Sequence, residues 1–112
     1  MQFYTSYFGN IGALPKNATL VSISLWSPRG WNGKHIKQLA PTEDILLEYK
    51  RMPDKIRYTD RHMSEVLGKR SADGLVKAIS EKWGDGTYVF LCYEKPGQFC
   101  HRRLVARWLE KA

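Results

Sequence analysis

The stretch that most constrains this chain is Thr87 to Tyr93, TYVFLCY. A run this apolar and β-prone predicts a central strand covered on both faces, as in a parallel sheet. The loop Glu94 to Phe99 follows and contains Pro96-Gly97. An amphipathic helix then runs from about Gln98 to Lys111, with Leu104, Val105, Trp108 and Leu109 inward and Arg103, Arg107 and Lys111 outward. Two cysteines, a histidine, a glutamate and two arginines fall at this strand–loop–helix junction, which makes it the candidate site.

The remaining elements read as scaffold. Phe3 to Phe8 predicts a first strand from its aromatics and Thr. Thr19 to Trp26 predicts a second, with Val21, Ile23 and Leu25 alternating with Ser22 and Ser24. Ser27 to Pro41 reads as a long loop, rich in Pro and Gly and bearing Arg29, Lys34, His35 and Lys37. Such a length in a compact domain points to function, and Trp31, Ile36 and Leu39 can pack it onto the body.

Thr42 caps a helix reaching about Arg51, with Glu43 and Asp44 in its first turn and Pro53 ending it. Lys55 to Thr59 reads as a short extended piece. Asp60 caps a second helix with Met63, Val66 and Leu67 on its apolar side. Ser71 or Asp73 opens a third, where Leu75, Ile79 and Trp83 recur every four residues before Gly84. Strands alternating with helices predict one α/β domain over residues 1–112, a small three-layer Rossmann-like sandwich with a mostly parallel sheet. Ligands of such folds bind beyond the carboxyl ends of the strands. The loops after the second and last strands would meet there.

A net charge of +7 favours anionic partners: a phosphorylated small molecule, a nucleotide or nucleic acid. The four Trp and six Tyr are many for this length; some belong to the core, and exposed ones can stack on bases. No apolar run approaches the roughly 18 residues of a membrane span, and MQFYTSYFGN is no signal peptide. A cytoplasmic protein without a membrane partner is therefore expected. In that compartment free thiols are the expectation for Cys92 and Cys100, and a redox pair across the turn is the alternative.

At the junction, Arg102 or Arg103 can grip a phosphate or carboxylate, and first-turn N–H groups of the helix can hold an anion. Cys100, beside His101 and Arg102, is a candidate nucleophile. His101 is a candidate proton carrier and Glu94 its orienter or base. Arg29, just past the second strand, is a candidate second anion contact, and Trp31 a candidate ligand-stacking ring. Each has a plainer reading. Cys100, Leu104 and Trp108 share a helical stripe, so Cys100 can be a packing wedge, and Cys92 belongs to the strand core. His101 can serve a structural hydrogen bond, Arg102 and Arg103 can be solvated surface, and Arg29 can pair with a local acid.

Three familiar chemistries fail on spacing. Cys, five residues, Arg would mark a phosphatase loop, but counting from Cys92 that position is Gln98. Cys92, Cys100, His101 and a distant His35 or His62 do not reproduce a zinc spacing. Neither common glycine-rich phosphate cradle is present, so no metal or cofactor is expected.

Two longer stretches carry a family resemblance. LCYEKPGQFCHRRLVARWLE, Leu91 to Glu110, resembles the closing strand–loop–helix of the family catalogued as domain of unknown function 488, with its Cys-x-Glu and Cys-His-Arg elements. LWSPRGWNGKHIKQLAPTEDILLEYK, Leu25 to Lys50, resembles that family's Trp-Pro-Arg-Gly and Leu-Ala-Pro-Ser elements, with a Ser inserted before Pro28 and Thr42 in place of Ser. The opening YTSYFGN lacks the family's histidine. The resemblance implies a small α/β domain and no particular reaction. By motif match it marks Glu94, Cys100, His101, Arg102 and Arg29 as site residues. The sequence thus leaves two functions open: an anion-binding domain with Cys- or His-dependent chemistry, and a non-enzymatic basic module for nucleic acid or a protein partner.

Overall fold

The computed structural model describes residues 1–93 and 101–110. Four strands form one sheet in the order β1-β4-β2-β3. β1 is Gln2–Tyr7, β2 Thr19–Ser22, β3 Lys34–His35 and β4 Thr87–Cys92. Every pairing is parallel. Four α-helices accompany the sheet: α1 (Glu43–Arg51), α2 (Lys55–Arg61), α3 (Ala72–Trp83) and α4 (Arg102–Glu110). The fold is the expected α/β, Rossmann-like arrangement, and β4 lies between β1 and β2 as its apolar sequence requires.

Register and pleat decide what each strand buries. Thr19 pairs with Tyr88 and Val21 with Phe90, so Tyr88 and Phe90 share a face with Val21. Phe3, opposite Tyr88 on β1, stacks on Phe90 with ring centroids 5.6 Å apart. Ile45 of α1, Tyr58 of α2, Ile79 of α3, and Val105 and Leu109 of α4 join Val21, Tyr88 and Phe90 in one buried cluster. Three helix starts carry side-chain caps: Thr42 accepts from the Ile45 N–H, Asp54 from Arg57 and Ser71 from Gly74. Gly84 ends α3 at φ +90°, where a side chain would be strained.

Three expectations are corrected. β2 stops at Ser22, not Trp26, because the chain leaves the ladder after the Ile23 N–H bonds to the Leu91 carbonyl at 3.1 Å. The stretch read as a loop contains β3, which pairs with β2, and a 3-10 turn at Lys37–Leu39. Lys55 to Thr59 is not extended but belongs to α2, which Asp54 caps, so Asp60 lies inside that helix. The buried stripe Tyr58, His62, Val66 runs every four residues, but its middle member is polar and exposed Ile56 blurs the period. A π-helical turn, His62–Val66, and a 3-10 turn, Leu67–Lys69, continue from α2. The described part of the last helix begins at Arg102, and Gln98 and Lys111 lie outside the described residues.

Ion pairs tie α2 to α1. Glu48 accepts from Arg57 and, at 3.2 Å, from Arg61, which also grips Glu65. Arg57 and Glu65 are exposed and Glu48 and Arg61 half-buried, so water still screens the pairs and their contribution is modest. The core contributes far more. Fully buried Phe90 truncated in Phe90→Ala is expected to cost about 3–5 kcal/mol in urea unfolding. Loss of the helix cap in Thr42→Ala is expected to cost about 1 kcal/mol by the same measurement.

Candidate functional site

Beyond the carboxyl ends of β2 and β4 lies a cavity of about 290 Å³. Ser24, Leu25 and Trp26 enter from the segment after β2, and Tyr93 from the end of β4. Leu46, Tyr49 and Lys50 of α1, Pro41, Tyr58 of α2, and His101 just before α4 complete the wall. Four of these residues are aromatic rings of Trp or Tyr. The location is where open parallel sheets bind ligands, and the volume lies near the lower end of the roughly 300–1,000 Å³ typical of small-molecule sites.

The wall is held by side chains that satisfy the backbone after β2. Having left the ladder, the segment is still buried at Ile23 and Ser24, whose carbonyls need partners, before it surfaces at Trp26. His101 Nε2–H donates to the Ile23 carbonyl at 2.6 Å. His35 Nε2–H donates to Ser24 at 2.8 Å, and the Tyr93 hydroxyl donates to Trp26 at 2.8 Å. Beneath the cavity runs a chain of rings from α1 to α4. Tyr49 meets Tyr58 at 5.2 Å, Tyr58 meets His62 at 6.2 Å and His62 meets His101 edge-on at 5.5 Å.

Two polar atoms stand out in this wall and its backing. The Ser24 hydroxyl is buried, lines the cavity and has no hydrogen-bond partner among the described residues. His62, wholly buried, donates Nε2–H to the Leu39 carbonyl at 3.0 Å, which leaves Nδ1 as an unpartnered lone pair among the described residues. Both imidazoles are kept neutral at pH 7. Burial pushes His101 down to about 4, against the pull of the Ile23 carbonyl, and His62 and Arg102 add to the depression. Burial likewise lowers His62, partly offset by the Leu39 carbonyl.

The candidates read from sequence are distributed unevenly around this cavity. His101 lines it, and it makes the structural hydrogen bond the sequence allowed. Arg102 is 3% exposed and is turned inward, donating Nη1–H to Cys92 Sγ at 3.1 Å. Arg103 and Arg29 are exposed, and neither lines the cavity. Trp31 sits behind the wall: it packs on Phe8 at 5.2 Å, and Phe8 packs on Tyr93 at 4.9 Å. Glu94 and Cys100 lie outside the described residues.

Cys92 is buried in β4, as its strand position required. It is in a disulfide, which corrects the expectation of free thiols. Cys100, the sequence's second cysteine, is eight positions away, a spacing that permits the Cα separation of about 5.5–6 Å a disulfide needs.

No sequence motif marks Trp26 and the tyrosines as cavity residues, and Tyr58 lies in the Lys55 to Thr59 stretch that reads as extended. The usable signal was the excess of aromatic residues and the small polar side chains Ser22 and Ser24 near a strand end.

The buried imidazoles make stability depend on pH. Below pH 6.5 the unfolded chain protonates His101, whereas the folded chain resists until about pH 4. This contribution is complete above pH 6.5 and is lost as pH falls through that window. Between pH 7 and 4.5 His101 alone is expected to cost about 2–3 kcal/mol, and His62 acts in the same direction. Urea unfolding at the two pH values should show that drop, and His101→Gln, which keeps a donor for Ile23, should reduce it. Thiol titration in denaturant should find no free thiol before reduction and both cysteines after it.

Among the described residues, no helix is long and apolar enough to cross a membrane, and no three His, Cys, Asp or Glu residues gather as a metal site. No curated protein and no solved structure matches the chain. A family model described as "Active DUF488-N3 subclade" matches residues 10–112, and the chain therefore belongs to the domain of unknown function 488 family.

Proposed function

We propose that this protein binds a phosphate-bearing anionic ligand, a nucleotide or nucleic acid, at the carboxyl edge of its sheet. The observation that carries this reading is the aromatic cavity whose wall holds a Ser24 hydroxyl with no hydrogen-bond partner among the described residues. A planar base stacks on Trp or Tyr rings with about 1–3 kcal/mol per base. The hydroxyl offers the ring's polar edge a hydrogen bond. Lys50 at the wall and the net charge of +7 favour the attached phosphate.

In this reading His101 is a positioning group. Its Nε2–H is committed to Ile23, and with a pKa of about 4 it is a weak base at pH 7. A second reading is enzymatic, and the subclade's description as active favours it. Conversion of the bound nucleotide during prolonged incubation separates turnover from binding alone.

Mononucleotides titrated into the protein should quench tryptophan fluorescence, since Trp26 is 56% exposed and at the cavity. Trp26→Ala is expected to weaken binding by about 5–150-fold, the equivalent of one lost stacking contact. Ser24→Ala should leave stability within about 0.5 kcal/mol or raise it, because the hydroxyl has no partner among the described residues, while weakening nucleotide binding several-fold. Absence of nucleotide binding by the parent protein, or unchanged affinity in Trp26→Ala, defeats the proposal.

A further inference from the structure

A second groove adjoins the aromatic cavity and shares its walls Leu25 and Pro41. Lys37, Lys69 and Arg70, all exposed, line this groove. They come from two separate places: Lys37 from the 3-10 turn after β3, and Lys69 and Arg70 from the end of the 3-10 turn after the π segment. Glu65 also lines the groove, but Arg61 holds its carboxylate with two hydrogen bonds, 2.7 and 3.1 Å long. The acid is thus locally neutralised, and the groove keeps an excess of three cations.

Ring-lined cavity and cationic groove are therefore adjacent, on either side of Leu25 and Pro41, and each suits one half of the same polymer. A recessed cavity admits one unstacked ring, which a paired duplex does not offer. A row of cations suits the phosphates on either side of that ring. Building on the nucleotide-binding reading, we infer that the ligand is a single-stranded nucleic acid. One base enters the cavity between Trp26, Tyr49 and Tyr93, and the neighbouring phosphates lie along Lys37, Lys69 and Arg70.

The test compares a mononucleotide, single-stranded DNA and RNA of about eight nucleotides, a duplex of the same length and poly-glutamate. The parent protein is set against the combined variant Lys37→Ala, Lys69→Ala, Arg70→Ala. All three positions are exposed, and a thermal melt confirms that the variant is folded. The single strands are expected to bind at least tenfold tighter than the mononucleotide, the duplex or poly-glutamate. The triple variant should lose that gain, and the slope of log affinity against log salt should fall by roughly 2, about 0.7 per lost phosphate contact. Its mononucleotide affinity should stay within twofold of the parent's. Comparing the DNA and RNA strands shows which sugar is preferred.

A triple variant that binds single strands as the parent does overturns the inference. Duplex or poly-glutamate binding as tight as single-strand binding also overturns it. A mononucleotide that binds as tightly as the oligonucleotides overturns it while leaving the nucleotide reading intact. Failure of every probe to bind removes both.

Discussion

The carbonyl oxygens that follow β2 are the point on which the architecture turns. A strand paired on both sides satisfies its backbone through its neighbours, but this one leaves its ladder while still buried. Orphaned carbonyls at buried Ile23 and Ser24 would cost about 1–3 kcal/mol each. Instead His101, His35 and Tyr93 donate to Ile23, Ser24 and Trp26. The donors come from the start of α4, from β3 and from the end of β4. Three otherwise separate parts of the chain are thereby tied to one segment. That segment, bent out of the sheet, is the wall of the cavity. The cavity is thus a by-product of how the backbone is satisfied.

How much of this could be read from the amino acids varies by element. β4 was legible because a strand buried on both faces has a sequence with almost no polar positions. α1 was legible because cap and stop signal agree, and α3 because an apolar stripe agrees with them as well. The Arg102 position was not: a guanidinium is ordinarily at the surface, and its burial against Cys92 depends on tertiary placement. β3 is two residues long and has no local signature, since only pairing with Val21 and Ser22 makes it a strand. The cavity's rings come from five segments distant in sequence, so no motif announces them. His101 was found for its neighbours in a Cys-His-Arg run, and its observed hydrogen bond reaches a residue 78 positions away.

Charge follows a similar division. The sequence supplies the excess of cations but not their arrangement. Arg57 and Arg61 are consumed by Glu48 and Glu65 in joining α1 to α2. Lys34 and Lys82 lie over the Trp83 ring at 5.5 and 5.6 Å, where cation and ring face attract. Such commitments reduce the number of cations able to meet a ligand, so net charge alone overstates the electrostatic surface.

The π-helical turn after α2 has a consequence for chain length. The Leu67 N–H is shared between the His62 carbonyl, five residues back, and the Met63 carbonyl, four back, so this turn holds one residue more than an α-helical turn would. Deleting one residue within it, for instance exposed Ser64, would let the turn close as an ordinary α-helical one and leave its two flanks in nearly the same phase. His62 on one flank and Val66 and Leu67 on the other could still face the core together. The same deletion inside α1 or α3, where no residue is in excess, would rotate the flanks by roughly 100°.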